Sequence, residues 1–324
     1  MNSNYKFTYV STFAGCGRSS LGYTLAGGKG LLAVEFNENA MKTYHLNHPT
    51  TPIYYGDIHN LTEEKIKKLI PNFQQGKTVD ILDGSPPCQG FSQAGKCNPN
   101  DIRNTLYKQY IRVLNIIKPK VSIIENVKAL TFKRNRHHLK GMLNDLIQSG
   151  YTPRLKVMNA KYYNCATSRE RLIVISSRND LKIIPTFPEH SPKLVSIKDA
   201  LKDVTPSRIK LPTDNKLKYL KQCKPGENLG KYHPKGNYFG TYLLNTDGQA
   251  PTILKGSGSG FFVPYRDTYR ELTANELQVL QSFPKSYKFT GGENNAHNRI
   301  GNSVPPMMMK AIANHVYNTI LNKK

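Results

Sequence analysis

The sequence predicts an α/β protein, in which a doubly wound, mostly parallel sheet is joined to a smaller, loop-rich β domain. Two observations carry this prediction. Short apolar segments alternate with helix-length amphipathic segments over residues 6–177, whereas prolines, glycines, lysines and tyrosines dominate residues 185–264. Strand–helix alternation is typical of parallel sheets, which bind ligands at the carboxyl ends of their strands. We expect one domain over residues 1–182 and 288–324, and the second domain with its hinge over residues 183–287.

The individual elements are predicted from the period of their apolar residues. Short apolar segments bounded by turn residues indicate strands, and apolar residues recurring every three or four positions indicate helices. The strands expected in order are Phe7–Phe13, Leu31–Phe36, Ile53–Tyr55, Val79–Asp83, Val121–Glu125, Arg154–Met158 and Leu172–Ser176. The helices expected in order are Glu38–Leu46, Thr62–Leu69, Thr105–Ile117, His137–Gln148, Thr273–Ser282 and Pro306–Leu321.

The charge of the chain favours a polyanionic partner. Lysines and arginines number 46 against 22 acidic residues, which gives a formal charge of +24 at pH 7. Such a field attracts phosphates, so nucleic acid is favoured. The alternative is a lysine-rich composition of an AT-biased genome, in keeping with abundant Lys, Asn and Tyr and no Trp.

The cysteines indicate neither a metal site nor a disulfide framework. They are odd in number and lack paired metal-ligand spacing: Cys16, Cys88, Cys97, Cys165 and Cys223. Free thiols are typical of a reducing compartment. With neither a signal peptide nor a membrane-length apolar stretch in the sequence, we expect a cytoplasmic protein.

The first candidate site follows the first predicted strand. The segment FAGCGRSSLG begins at Phe13, and its glycines at positions 15 and 17 permit a sharp turn ahead of a helix. Glu35 ends the next strand, where its carboxylate could bind both ribose hydroxyls of an adenosine cofactor. The G-x-G-x-x-x-x-G spacing differs from the dinucleotide-binding fingerprint. From these residues alone a nucleoside site, an NAD site and a purely structural turn all stay open.

The second candidate site is the segment DGSPPCQGFS, which follows the strand ending at Asp83. Pro86 and Pro87 stiffen the chain before Cys88, which fixes the direction of its thiol at the mouth of the sheet. A thiolate there can attack an electrophilic carbon. The polar, glycine-containing residues beyond it are typical of a flap over a site. An unremarkable buried thiol is the alternative, and the flanking prolines and the strand end argue against it.

Two further segments place charged groups near the same edge of the sheet. The apolar strand in IIENV delivers Glu125 there, where its carboxyl could share a proton with a ring nitrogen. In TSRERL, Arg169 and Arg171 alternate at the start of a strand and are therefore expected on one face, with Glu170 on the other. Two guanidiniums suit a carbonyl oxygen and a phosphate. A helix cap or a structural ion pair is the alternative for Glu125, and a surface ion pair is the alternative for the arginines.

Taken together, these segments resemble the DNA cytosine-5 methyltransferases over nearly the whole chain. The resemblance rests on the ordered set Pro-Cys-Gln, Glu-Asn-Val, Arg-x-Arg and Gly-Asn-Ser-Val-Pro, the last within the turn IGNSVPP at residues 300–306. It implies a Rossmann-like methyltransferase domain with S-adenosylmethionine as cofactor, and a last helix that returns to the first strand–helix unit. It also implies a target-recognition domain in the loop-rich segment, facing the catalytic domain across a cleft for double-stranded DNA.

The resemblance implies roles for individual positions. Cys88 matches the nucleophile, Glu125 the group at cytosine N3, and Arg171 the group at cytosine O2. Arg169 lies in a segment that orients the site or touches DNA. The expected cofactor contacts are Phe13, Ala14, Gly15, Gly17, Glu35, Phe36, Asp57, Ile58, Ser85, Pro87, Leu106, Asn302, Ser303 and Val304. The expected DNA contacts are Gln89, Ser92, Arg103, Lys235, Asn237, Tyr238, Thr252, Lys255 and Ser257.

Sequence recognition is expected above all in two loops, Tyr232–Phe239 and Lys255–Phe261, because both combine glycine with polar side chains. Ordinary turns are the alternative. The chain departs from the family pattern at Asn164, where Gly is usual, and at Thr167 and Arg299, where Gln is commoner.

These residues predict methyl transfer to carbon 5 of a cytosine that has left the DNA stack. The thiolate of Cys88 would add to carbon 6, which makes carbon 5 enamine-like and able to take the methyl group. Loss of the carbon 5 proton and of the enzyme sulfur would restore the ring. Neither a metal nor nicotinamide is required. A monomer is expected, and a cognate restriction endonuclease is a possible partner.

Three other functions were weighed against this one. A tRNA cytosine-5 methyltransferase would share the fold, but the Cys-Phe-Thr tripeptide typical of that group is absent from the sequence. A non-catalytic DNA-binding protein would have no use for Cys88, Glu125, Arg171 and Glu35 together. A cysteine hydrolase would need a partner histidine, and none of the nine lies in a motif beside a strand end.

Overall fold

The computed structural model describes residues 5–87, 106–256 and 259–323. The chain divides into two compact units. The first unit comprises Met1–Met158, Glu170–Glu189 and Met309–Lys324, and the second comprises Asn159–Arg169 and His190–Met308. The second unit thus includes residues 159–169 and 288–308, which the sequence assigned to the catalytic domain. The predicted domain bounds stay a prediction.

The first unit is built on a seven-stranded sheet, with the order β3-β2-β1-β4-β5-β7-β6. The strands are β1 (Phe7–Thr12), β2 (Gly28–Glu35), β3 (Ile53–Tyr55), β4 (Ile81–Gly84), β5 (Val121–Val127), β6 (Tyr151–Asn159) and β7 (Glu170–Arg178). The helices are α1 (Arg18–Leu25), α2 (Glu38–Asn47), α3 (Glu63–Leu69), α4 (Leu106–Ile117) and α5 (Arg136–Gln148), with α10 (Pro306–Val316) and a π-helical turn (Tyr317–Leu321) at the end of the chain. The predicted α/β class is confirmed.

The strand order brings the two glycine-containing segments side by side. Strand β1 pairs in parallel with β2 on one side and with β4 on the other, and Thr12 lies opposite Gly84 in register. The chain winds outward in opposite directions from these central strands, so their carboxyl ends form the switch point where doubly wound sheets bind ligands. The residues that follow both strands therefore start from the same edge.

The core of this unit consists of aliphatic side chains from the central strands and the helices that cover them. Val10, Leu82 and Ile124 on three neighbouring strands are buried with Val113 and Leu114 of α4. Strands buried on both faces read as continuous apolar segments, which explains why the sequence revealed them. Strand β7 is antiparallel to β5 and accounts for the expected "mostly" parallel sheet. At the end of the chain, the ring of Tyr317 packs against Phe7.

The second unit contains a three-stranded sheet and short helices around its own core. Its strands are β8 (Gly240–Leu243), β9 (Ser259–Tyr265) and β10 (Thr268–Glu271), and its helices are α6 (Ile197–Leu201), α7 (Asp214–Leu220), α8 (Ala274–Leu280) and α9 (Gly292–Asn302). The core includes Ile253, Phe261, Leu277 and Ile300. A capping box formed by Thr273 and Glu276 begins α8.

Two expectations in this unit are wrong. The predicted loop Lys255–Phe261 runs into strand β9, where Phe261 and the next residue, Phe262, are both buried. The predicted turn at residues 300–306 begins as the last turn of α9, and the chain leaves the helix only after Asn302. Helix α9 was not predicted, because its glycines and asparagines have low helix propensity, but burial of Ala296 and Ile300 stabilises it.

Candidate active site

The glycine turn after β1 is held by a buried carboxylate. Phe13, Gly15 and Gly17 all have left-handed backbone conformations, with φ of 52°, 59° and 88°. Gly17 then caps α1. The backbone N–H of Gly15 donates to Oε2 of Glu35 at 2.7 Å, which ties the turn to the end of β2. The adjacent Ala14 is buried.

The same carboxylate also organises the start of α2. Oε1 of Glu35 accepts hydrogen bonds from the N–H groups of Phe36 at 3.0 Å and Asn37 at 2.7 Å. A carboxylate has about four acceptor positions, so three bonds leave room for a ligand hydroxyl. Beside it the ring of Phe36 is 71% exposed and offers a flat apolar surface. An acid with an adjacent open ring can hold a ribose and a heterocycle.

The other expected cofactor residues of the first unit lie after β3 and at the start of α4. The Asp57 carboxylate accepts from the N–H and Nδ1 of His59 at 2.9 and 2.7 Å, and these bonds lower the pKa of Asp57. Ile58 is buried, and its carbonyl accepts from Arg112. Leu106 packs on the edge of the core. The segment after β3 is therefore fixed by hydrogen bonds between Asp57 and His59 and by the bond from Arg112.

The chain leaves β4 through a tightly packed glycine. A Cβ at Gly84 would lie 2.4 Å from the Tyr110 ring and 2.7 Å from Oγ1 of Thr12, so no larger residue fits without movement. Ser85 and Pro87 are half-buried, and the Asn126 amide donates to the Pro86 carbonyl at 3.2 Å. This bond links the segment before the predicted nucleophile to the end of β5. The predicted site residues that come next in the sequence lie outside the described residues: Cys88, Gln89, Ser92 and Arg103.

At the end of β5, Glu125 lies between two arginines. Its Oε1 is 2.9 Å from Nε of Arg171 on β7, and its Oε2 is 3.7 Å from Nη2 of Arg18 on α1. All three side chains are largely buried, with exposures of 7% to 13%. Burial lowers the pKa of Arg171, and the neighbouring Glu125 opposes that shift. Glu125 and Arg171, for which the family resemblance implies separate contacts with the base, are therefore in direct contact with each other.

A second buried acid, Asp83, lies at the end of β4 and was given no role from the sequence. It accepts hydrogen bonds from the hydroxyls of Ser11 and Tyr23, both at 2.9 Å. Burial raises the pKa of Asp83 to about 6, and the charge of Arg18 acts in the opposite direction. Neither Arg18 nor the hydroxyls facing Asp83 were singled out in the sequence, although a charged residue directly after the glycine turn was a visible signal for Arg18.

The remaining predicted residues belong to the second unit. Arg169 is buried and donates from Nη1 to the Ile253 carbonyl at 3.0 Å, whereas Arg171 pairs with Glu125. The two guanidiniums therefore have different partners. These bonds do not support the expectation that both side chains lie on one face. In the IGNSVPP segment, the Ser303 hydroxyl donates to the Arg299 carbonyl and Val304 is buried. Cofactor contacts by Asn302, Ser303 and Val304 stay predictions.

The first recognition loop is exposed and internally bonded. Nδ1 of His233 accepts from the N–H groups of Lys235 and Asn237 at 3.2 and 3.3 Å, while both of those side chains point to solvent. Tyr238 has a left-handed φ of 68°, and its ring packs on Tyr219 and His233. The backbone of this loop is therefore fixed, while the side chains of Lys235 and Asn237 are exposed for contact with a partner.

The second loop is only partly described. Lys255 is exposed and Thr252 half-buried, and Ser257 lies outside the described residues.

Two departures from the family pattern have local explanations. Asn164 has φ of 56°, a left-handed conformation that asparagine tolerates best after glycine. Thr167 is buried and its hydroxyl donates to the Pro251 carbonyl at 3.3 Å. Nothing in the structure explains why Arg299 stands where Gln is commoner.

In the described part of the chain, the His, Cys, Asp and Glu side chains form no cluster of three or more that could hold a metal ion. None of its helices is long and apolar enough to cross a membrane.

Comparison with known proteins identifies the class to which this fold and site belong. The family model for C-5 cytosine-specific DNA methylase matches residues 7–318. The chain therefore belongs to the C-5 cytosine-specific DNA methylases, enzymes that methylate cytosine in DNA.

Individual relatives agree. The chain is 32% identical to the type II methyltransferase M.Sau96I of Staphylococcus aureus, over 96% of this chain and 76% of the relative. It is 30% identical to M.HpaII of Haemophilus parainfluenzae, over 99% and 92%. Among solved structures, one described as a prophage-encoded DNA modification methyltransferase (E. coli) superposes with a TM-score of 0.77 at 25% identity, covering 98% of this chain and all of the other.

Proposed function

We propose that this DNA cytosine-5 methyltransferase uses S-adenosylmethionine as methyl donor and holds it at the carboxyl ends of β1 and β2. Support comes from the backbone cradle: among the described residues, apart from the chain neighbours of Gly15, the atom nearest to a Cβ at that position would be Nη1 of Arg18 at 3.7 Å, which leaves space for a ligand. Glu35 has acceptor capacity left for a ribose hydroxyl, and Phe36 offers an exposed ring for the adenine. When bound, the cofactor supplies an electrophilic methyl group.

Cys88 is the proposed nucleophile. It follows Pro87 directly in the sequence, and the bond from Asn126 to Pro86 fixes the chain two residues before it. Its thiolate would add to carbon 6 of cytosine, and the ring electrons would reach carbon 5. Carbon 5 would then bond the methyl carbon as the bond from that carbon to the sulfonium sulfur breaks, with the electron pair staying on sulfur and S-adenosylhomocysteine as the leaving group. The carbon 5 proton leaves to solvent or a base, and the sulfur leaves carbon 6 with its electron pair.

The contact between Glu125 and Arg171 is the single observation that carries this proposal. A carboxylate beside ring nitrogen N3 stabilises the proton gained there as the thiolate attacks, and a guanidinium at O2 stabilises the accompanying charge. Both groups are largely buried, which strengthens their electrostatic interactions relative to water. The Glu125 carboxylate is held by its ion pairs before a base arrives, so this group needs little reorganisation during the reaction.

We further propose that the second unit reads a specific duplex sequence, chiefly through Lys235, Asn237 and Lys255. This proposal is supported by their exposure on a bonded backbone and by the type II methyltransferases among the relatives. Type II enzymes recognise defined sites, so a cognate restriction endonuclease is a reasonable partner. The monomeric state and cytoplasmic location stay predictions.

Bisulfite sequencing of DNA from cells expressing the protein tests the proposal. Protected cytosines should recur within one sequence context, and cells expressing Cys88→Ser at equal level should show none. Full conversion of every cytosine in cells with the active protein would contradict the proposed activity. Protection without a common context would refute only the sequence-reading role of the second unit.

A further inference from the structure

The guanidinium of Arg18 lies at the centre of the charged groups of the candidate site. It stands 3.7 Å from Oε2 of Glu125, whereas Arg171 contacts the other oxygen, Oε1. Arg18 is the first residue of α1, and its side chain is 12% exposed. The carboxylate of Glu125 is thus flanked by one cation on each oxygen.

Arg18 also lies over the glycine turn. The position that a Cβ would take at Gly15 is 3.7 Å from Nη1 of Arg18. The charge of Arg18 acts on Asp83, whose pKa it lowers, and on Arg171, whose pKa it also lowers. One side chain therefore interacts with the turn proposed to hold the cofactor and with both acids at the strand ends.

The two cations have different tasks once a cytosine is present. Arg171 is proposed to donate to cytosine O2, and its guanidinium already bonds Glu125 and the Glu170 carbonyl. Any rotation of Arg171 toward the base weakens its hold on Oε1 of Glu125. A second cation on Oε2, 3.7 Å away, keeps the carboxylate oriented while this happens.

We propose that Arg18 is a positioning residue for Glu125, which it holds in register with the cytosine ring. This inference rests on the role proposed above for Glu125. The alternative is that Arg18 only covers the glycine turn and stabilises the fold. The two differ in one respect: a positioning residue loses its effect on the reaction when Glu125 is absent, whereas a structural residue does not.

A double-mutant cycle separates the two readings. The variants are Arg18→Gln, Arg18→Lys, Glu125→Gln and the Arg18→Gln/Glu125→Gln pair, with Arg178→Gln as the control that removes another arginine ion pair of the first unit. The measurement is the single-turnover rate of methyl transfer to an oligonucleotide at saturating cofactor, followed with a radiolabelled methyl group. Urea unfolding midpoints check that each variant folds.

We expect Arg18→Gln to slow methyl transfer by about 10- to 100-fold, the range for a misplaced catalytic group. Arg18→Lys should recover much of this loss because the positive charge is kept, and Arg178→Gln should match the wild type. In the Glu125→Gln background, Arg18→Gln should change the rate less than about threefold.

Equal slowing by Arg18→Gln in both backgrounds would overturn the inference, as would a wild-type rate for Arg18→Gln. A wild-type rate for Glu125→Gln would refute the proposed role of Glu125 itself, and with it any positioning role for Arg18. A slow Glu125→Gln with additive losses would refute the role of Arg18 alone.

Discussion

Replacement of Glu35 by Gln probes how the cofactor turn is built. The carboxylate accepts three backbone hydrogen bonds, from Gly15, Phe36 and Asn37. A glutamine has one acceptor oxygen, so at least one N–H faces an amide NH2 and the other two bonds lose their charge assistance. Bonds to charged groups contribute about 1.5–3 kcal/mol each and neutral ones about half, so the loss of one bond and the weakening of two cost about 3–6 kcal/mol.

The loss is measured by urea unfolding and by calorimetric titration with S-adenosylhomocysteine. Glu35→Gln should lower the free energy of unfolding and weaken ligand binding at least tenfold, while DNA affinity changes little. Glu38→Gln is the matched control, because Glu38 lies three residues on and its only described ion pair, with Lys42, is fully exposed. If the two variants gave equal unfolding curves and equal ligand affinities, the reasoning would be refuted.

Three further predictions follow from the packing and charges. Gly84→Ala should cost about 1–3 kcal/mol in chemical unfolding, because its methyl group overlaps the Tyr110 ring, whereas Gly141→Ala on helix α5 should be tolerated. The pKa of Asp83 is raised to about 6, so the stability that this group contributes is fully present below about pH 4 and is lost as the pH rises through 6. Over that interval the free energy of unfolding of the wild type should fall by about 3 kcal/mol relative to that of Asp83→Asn. A difference between the two that does not change with pH would contradict the raised pKa of Asp83. Lys235→Ala and Asn237→Ala should each reduce discrimination among sites by about 1–3 kcal/mol in methylation of a randomised DNA pool, whereas Lys221→Ala should not; sequence logos identical to the wild type would place recognition elsewhere.

The sequence predicted the parts of the fold in which local pattern and tertiary environment agree. The central strands are buried on both faces, so the predicted strand Val121–Glu125 is mostly apolar; the structure has this strand at Val121–Val127, with Glu125 buried near its end. Because that strand adjoins β4, the neighbourhood of Glu125 and the Pro86–Pro87 segment followed from strand order alone. The glycine turn and its acid were predicted for the same reason.

What the sequence did not reveal depends on contacts between distant residues. The ring of Tyr23 and the hydroxyl of Ser11 meet Asp83 across 60 and 72 positions, and no local pattern marks such a group. Helix α9 is stabilised by burial rather than propensity, so its asparagines concealed it. Strand β9 begins inside a glycine-rich segment. Because glycines indicate turns, the predicted loop extended as far as Phe261.

The central claim is that Cys88 attacks carbon 6 of the target cytosine. A duplex oligonucleotide carrying 5-fluorocytosine in the recognised site traps the covalent complex, because fluorine cannot leave as the carbon 5 proton does. Mass spectrometry of the digested adduct with cofactor present should locate the DNA on the peptide containing Cys88, and Cys88→Ala should give no adduct while still binding DNA. An adduct on Cys16 or Cys97, or one formed by Cys88→Ala, would contradict the account.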